Sequence, residues 1–149
     1  MADNSATPNQ HDALAGNHYS GPSLVLAAYD RSDGSSHALS YAAGLAARSG
    51  AYLVVLNVNG SLAPDCTTGA RGCVDEIVGE VQQVVAGGVP GCEVAFNAGD
   101  PAVVIHRLAR DLHADLIVVG QSRHRWMHPL GSVPARLAQH AQQPVLIVP

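Results

Sequence analysis

Five short, almost wholly apolar runs recur between Ser23 and Pro149: SLVLAAY (23–29), AYLVVLNV (51–58), CEVAFN (92–97), DLIVVG (115–120) and PVLIVP (144–149). A strand that is apolar on both faces must be covered on both, which is the condition of a parallel sheet wrapped by helices rather than of exposed hairpins. The stretches between the runs carry the other period. Ala38, Leu39, Ala42, Ala43 and Ala46 fall at helical spacing, with Ser and Asp ahead of them as N-cap candidates and Gly50 placed to stop the helix. Val74, Ile77, Val78, Val81, Val84 and Val85 mark a second helix over 73–86, after a Gly, Pro and Thr-rich loop at 59–72. Pro101 opens a third, with Val104, Ile105, Leu108 and Leu112 on one side, and Gly131-Ser132 precedes a fourth whose first turn tolerates Pro134.

Five apolar strands alternating with four helices predict an α/β fold, a parallel sheet joined by right-handed crossovers. Ligands of such sheets bind beyond the carboxyl ends of the strands, where neighbouring crossovers diverge to opposite faces. The loops after the first and fourth strands are therefore where a site is expected.

The chain has 149 residues, 47% of them hydrophobic, enough for one domain with a substantial core, expected over residues 23–149. Residues 1–22 are polar and rich in Asn, Ser, Gly and Pro without apolar periodicity, and read as a disordered tail. No apolar run approaches the roughly 20 residues of a membrane span, and the start lacks a secretory pattern, so a soluble, cytoplasmic protein is expected. Cys66, Cys73 and Cys92 leave at least one thiol free in any pairing, which suits a reducing compartment.

The formal charge is −4, and no Asp or Glu follows Asp115, whereas Arg123, Arg125 and Arg136 do. Overall acidity excludes general nucleic-acid binding, yet a locally positive last quarter remains compatible with a small anion.

At the end of the first strand, Asp30 is placed either to accept hydrogen bonds from a base or ribose or to cap the next helix through the amides of 32–35. After the fourth strand, Gly120 permits close backbone approach to a ligand. Gly131-Ser132 offers free amides at a helix start, as an anion site or as an ordinary N-cap, with Arg123 and Arg125 able to add charge.

Other chemistries fare worse. The chain has no lysine and no P-loop, which excludes a Walker-type ATPase, and no G-x-G-x-x-G follows the first strand. His124 and His128, even with Cys66 and Cys73, make a poor metal site because Pro129 breaks the helix that their spacing needs. Trp126 reads as a local anchor rather than a stacking platform, and Cys92 as a core residue rather than a nucleophile paired with His106, His113 or His140.

The segments LVLAAYDRSDGSSHALSYAAGLAARSGAYLVVLNV, GDPAVVIHRLARDLHADLIVVG and GSVPARLAQHAQQPVLIVP, in this order from about Leu24 to Pro149, resemble the universal stress protein family. The resemblance implies a Rossmann-like sheet of the adenine nucleotide alpha hydrolase kind, order 3-2-1-4-5 with helices on both faces, and a homodimer formed through the last strand. ATP-binding members carry G-x2-G-x9-G-[ST]. This chain keeps Gly120, Gly131 and Ser132, but Arg123 occupies the second glycine position and seven residues separate it from Gly131. A side chain there obstructs a backbone that must lie against phosphate, whereas the guanidinium can itself engage phosphate.

For ATP, with Mg, the resemblance carries Ala28, Tyr29 and Asp30 to the adenine and ribose, with Val58 beside the base. It carries Gly120, Arg123, Gly131, Ser132 and Val133 to the phosphates. Arg31 stands where a glycine usually follows the Asp, and is expected to narrow the entrance. Three functions follow from these readings. The first is a dimeric stress-response module that binds ATP or a related adenine nucleotide, and the second is a dimeric scaffold with a degenerate phosphate loop. The third is a slow ATP hydrolase, with Asp30 and the histidines as the sole bases at hand.

Overall fold

Among the described residues nine elements follow one another in strict alternation: β1 (Leu24–Ala28), α1 (Asp33–Ser49), β2 (Tyr52–Asn59), α2 (Gly69–Val85), β3 (Gly91–Ala98), α3 (Pro101–Asp111), β4 (Leu116–Gly120), α4 (Val133–His140) and β5 (Val145–Val148). The computed structural model describes residues 21–59, 69–121 and 132–149. The five strands are parallel in one sheet, as the alternation predicts, and their order β3-β2-β1-β4-β5 is the one that the family resemblance implies. The tail at 1–20 lies outside the described residues.

Strand parity sorts the core into two layers. Val25 and Ala27 of β1, Tyr29 just beyond its end, Leu53 and Val55 of β2 and Val118 of β4 pack with α1 and α2, against Ala38, Leu39, Ala42, Ile77 and Val81. Leu26, Val54, Leu56, Ile117 and Val119 point the other way, onto Ala102, Val104, Ile105 and Ala109 of α3 and Leu137 of α4. Successive side chains of a strand alternate faces, so a run apolar at every position is the signature of a strand sandwiched between two helical layers. β1 is the central strand, and Val25, Leu26 and Ala27 are fully buried. The alanine-rich buried face of α1 brings that helix close to the sheet, and its contacts reach β1 and β4 together.

The helix ends follow local chemistry. Ser32 caps α1, its Oγ accepting from the Ser35 amide at 3.2 Å, and Gly50 closes it at φ 70°, where glycine avoids the steric penalty of a left-handed residue. Asp100 caps α3 ahead of Pro101, accepting from the Val103 amide at 3.1 Å. At the opposite rim, Asp115 accepts from the Ser23 and Leu24 amides at 2.8 and 3.0 Å and ties the entry of β1 to that of β4.

The structure departs from the sequence reading at α2, which starts at Gly69 rather than at 73. Its first turn, GARG, contains no periodic apolar residue to announce it. Cys73 is disulfide-bonded, with its partner outside the described residues, and Cys92 is a half-buried free thiol whose pKa is pushed up by burial and by neighbouring Glu93. Among the described residues no helix is long and apolar enough to cross a membrane.

Candidate functional site

The crossovers diverge at the β1–β4 pair, because α1 leaves β1 for one face while α3 reaches β4 along the other. A crevice of about 320 Å³ opens there, at the carboxyl rim. That size lies within the range of small-molecule sites. Its floor is the ends of the strands, through Ala28, Leu56, Val58 and Val119. Its sides are the starts of three helices: 32–35 at α1, Pro101 at α3 and Val133-Pro134 at α4. Three helix N-termini turn their positive dipole ends toward a recess whose described lining also holds Asp30 and Asp33.

While Ser32 supplies the helix N-cap, Asp30 holds the turn ahead of α1 with one oxygen only. Its Oδ1 accepts from the Ser32 amide at 3.0 Å and from the Ser32 hydroxyl at 2.5 Å, while its own amide donates to Ser35 Oγ at 3.2 Å. Oδ2 has no hydrogen bond among the described residues and remains available to a ligand donor. Burial pushes the Asp30 carboxyl up, but the bonds from Ser32 and Ser35 outweigh it and hold the group below its ordinary value, as a carboxylate at neutral pH.

Gly120 lines the crevice, and packing within the fold also demands a glycine there. A Cβ at 120 would collide with the Gly34 carbonyl group and stand 2.6 Å from the Ser35 nitrogen. A Cβ on Gly34 would in turn stand 2.7 Å from the Gln121 carbonyl oxygen. Two glycines therefore let the start of α1 rest directly on the end of β4, and the contact fixes the Asp30 turn relative to the floor. Close helix–strand approach is a physical requirement at both positions.

Tyr29 lines the crevice beside Ala28 and Asp30. Its side chain belongs to the α1–α2 layer and its hydroxyl donates to Glu80 Oε2 at 2.7 Å, on the face opposite the apolar floor. Strand parity explains this, since Tyr29 has the register of Val25 and Ala27. Burial, and then the Glu80 acceptor, raise its pKa. Arg31 does not narrow the entrance: its guanidinium turns away to Glu76 and Glu80 on α2, at 3.2 and 2.6 Å.

On the far side, Ser132 caps α4 through a long bond from the Ala135 amide, 3.4 Å, and Val133 lies on the crevice wall. Arg136, one turn in, donates to Asp100 Oδ2 at 2.8 Å and joins the starts of α3 and α4. Arg136 holds the Asp100 carboxyl below its usual range, aided by the Val103 amide.

Arg123 and Gly131 lie outside the described residues, as do Arg125, Trp126, His124, His128 and Cys66. The sequence reading missed Gly34, Ser35 and Ile105. Parity along β1 and β2, and the periodicity of α3, were the signals for the apolar lining, but nothing local announces the Gly34–Gly120 contact. Among the described residues no three His, Cys, Asp or Glu side chains cluster as a metal site.

The molecule is thus a doubly wound α/β protein with an open crevice at its topological switch point. It belongs to the universal stress protein family, whose sequence profile matches residues 24–149. A universal stress protein solved in complex with cAMP is 29% identical, superposes with a TM-score of 0.71, and aligns over 87% of this chain and 98% of that one. A family member from Burkholderia pseudomallei is 30% identical, with a TM-score of 0.64 over 85% and 96% of the two chains. The Archaeoglobus fulgidus protein in complex with dAMP, 20% identical with a TM-score of 0.64 over 87% and 99%, shares the fold. No curated protein sequence matches the chain.

Proposed function

We propose that the crevice binds an adenine nucleotide and that the protein is a dimeric, cytoplasmic regulatory module of the stress response rather than an efficient enzyme. The observation that carries this is the pairing of a free carboxylate oxygen on Asp30 with three helix N-termini around one apolar-floored recess. The chemistry divides the ligand. Leu56, Val58, Ile105 and Val119 offer a planar base an apolar bed. Asp30 Oδ2 accepts from ribose hydroxyls, which have protons to donate, and repels phosphate. Phosphate is left to the Val133 amide and the Ser132 hydroxyl at α4, with Gly120 at the seam. Arg123 and Gly131 complete that phosphate side, and Mg accompanies the ligand where it is ATP. The cAMP and dAMP complexes of the two relatives support an adenine ligand.

The homodimer forms through β5, an edge strand whose Ile147 is 41% exposed. An apolar residue on an open edge invites pairing with a second copy. Light scattering of the pure protein at high concentration tests this part, and a monomer there refutes it.

Calorimetric titration and thermal unfolding with AMP, cAMP and ATP, with and without Mg, test the nucleotide reading. Ligand at about 100 times Kd stabilises the folded state by about 2.7 kcal/mol. An unmoved unfolding midpoint at millimolar concentrations of all three refutes it.

A further inference from the structure

Arg31 combines a strained backbone with a fully committed side chain. Its φ of 68° is left-handed, where an L side chain is disfavoured and glycine is the usual occupant. Such a conformation persists only where the surroundings over-determine it. The surroundings here are α2. Arg31 Nη2 donates to Glu80 Oε1 at 2.6 Å and Nη1 to Glu76 Oε2 at 3.2 Å. The other Glu80 oxygen takes the Tyr29 hydroxyl at 2.7 Å, and the Tyr29 carbonyl accepts from the buried Asn57 amide at 2.8 Å. Both sequence neighbours of Asp30 are therefore anchored on the α2 side of the sheet, while Asp30 itself lines the crevice.

We infer that Arg31 is a positioning residue for the ligand-binding carboxylate: its clasp on Glu76 and Glu80 keeps residue 31 left-handed, aims Asp30 into the crevice and couples crevice occupancy to α2. The inference rests on the nucleotide reading of the crevice. Each of these ion pairs is too exposed to matter much to global stability. Their leverage is local, because the residue they hold is the centre of the turn in which Asp30 Oδ1 grips Ser32. Without the clasp, a non-glycine residue at 31 relaxes toward ordinary backbone angles and the Asp30–Ser32 turn opens. The geometry also explains why an arginine is tolerated at a position suited to glycine: the strain is offset by charge-assisted bonds that glycine cannot make. Coupling then runs both ways, so that ligand held by Asp30 firms the contact to α2.

The test compares Arg31→Ala, Arg31→Gly, Arg31→Lys and Glu80→Gln with the unaltered protein in two measurements. The first is hydrogen exchange of the Asp30 and Ser32 amides in ligand-free protein, with the β1 amides as an internal reference. Arg31→Ala is expected to exchange about tenfold faster at those two amides and unchanged in β1. Arg31→Lys recovers part of the protection, Arg31→Gly falls between because it removes strain and clasp together, and Glu80→Gln shifts less but in the same direction. The second is AMP affinity by calorimetry, where Arg31→Ala is expected to weaken binding about tenfold and Arg31→Lys to restore most of it. Unchanged exchange in Arg31→Ala overturns the clasp. Faster exchange with unaltered AMP affinity overturns its role in aiming Asp30. Unaltered protein that binds no AMP refutes the nucleotide reading instead, and the exchange data then decide the clasp by themselves.

Discussion

The two sides of the crevice, the β1–α1 turn and the entrance of α4, are held by different means. The turn is locked by short-range geometry: Asp30 with Ser32 and Ser35, and the start of α1 resting on β4 through Gly34 and Gly120. Among the described residues the α4 side is held by a long N-cap bond at Ser132 and by one ion pair, Arg136 to Asp100, between half-buried side chains. Prolines also sit in the first turns of α3 and α4, at 101 and 134, and each removes an amide that a ligand would otherwise meet. Among the described residues, a wall locked by short contacts thus faces one with fewer of them. On the nucleotide reading proposed above, such a site is expected to recognise base and ribose more firmly than the number of phosphates.

The largest expected effect tests the rigid side. Gly120→Ala inserts a methyl group into the Gly34 backbone, and overpacking against backbone that cannot step aside destabilises by about 3 kcal/mol, measured by urea denaturation. Gly34→Ala, meeting one carbonyl oxygen at 2.7 Å, costs about 2 kcal/mol. A neutral Gly120→Ala would mean that the β4–α1 seam is soft and the contrast between the walls is false.

Smaller effects separate binding from folding. Asp30→Asn keeps an oxygen for the Ser32 amide, so stability falls by less than about 1 kcal/mol, while loss of the charged acceptor weakens adenine nucleotide binding about tenfold by calorimetry. Equal affinity in Asp30→Asn would remove ribose recognition from this side.

Most of the fold was legible because it is written in local periodicity. Apolar runs such as LVLAA can be satisfied only between two layers, and the Gly50 stop and the Pro101 start are local backbone chemistry. The start of α2 was not legible, since GARG carries glycine and no apolar period. Within the site, Asp30 and Ser132 stood out as short polar residues at element ends, and the orientation of Tyr29 was recoverable from parity. The Gly34–Gly120 contact and the Arg31–Glu80 pair join residues far apart in the chain, and no local rule predicts an arginine with φ above zero.

The smallest effect sharpens the comparison on the loose side. Asp100 is both N-cap and ion-pair partner, and Asp100→Asn keeps the cap acceptor while removing the charge. The pair is partly exposed and screened, so the substitution costs only about 0.5 kcal/mol at low salt and less at high salt. Its sign with pH is fixed. The folded pKa of Asp100 is depressed, so its contribution is complete above the unfolded value of about 3.9 and is lost as pH falls through the lower folded value. Acid titration of stability should therefore be shallower in Asp100→Asn than in the unaltered protein. Asp30 is depressed as well, but burial and neutral hydroxyl and amide donors set its value rather than a cation, so salt should shift the acid response of the Asp100 side and leave that of the Asp30 turn in place. An acid response that is insensitive to salt, and identical in Asp100→Asn, would show that Arg136 does not hold α4 to α3, and that the α4 wall is fixed by packing of Val133 and Leu137 instead.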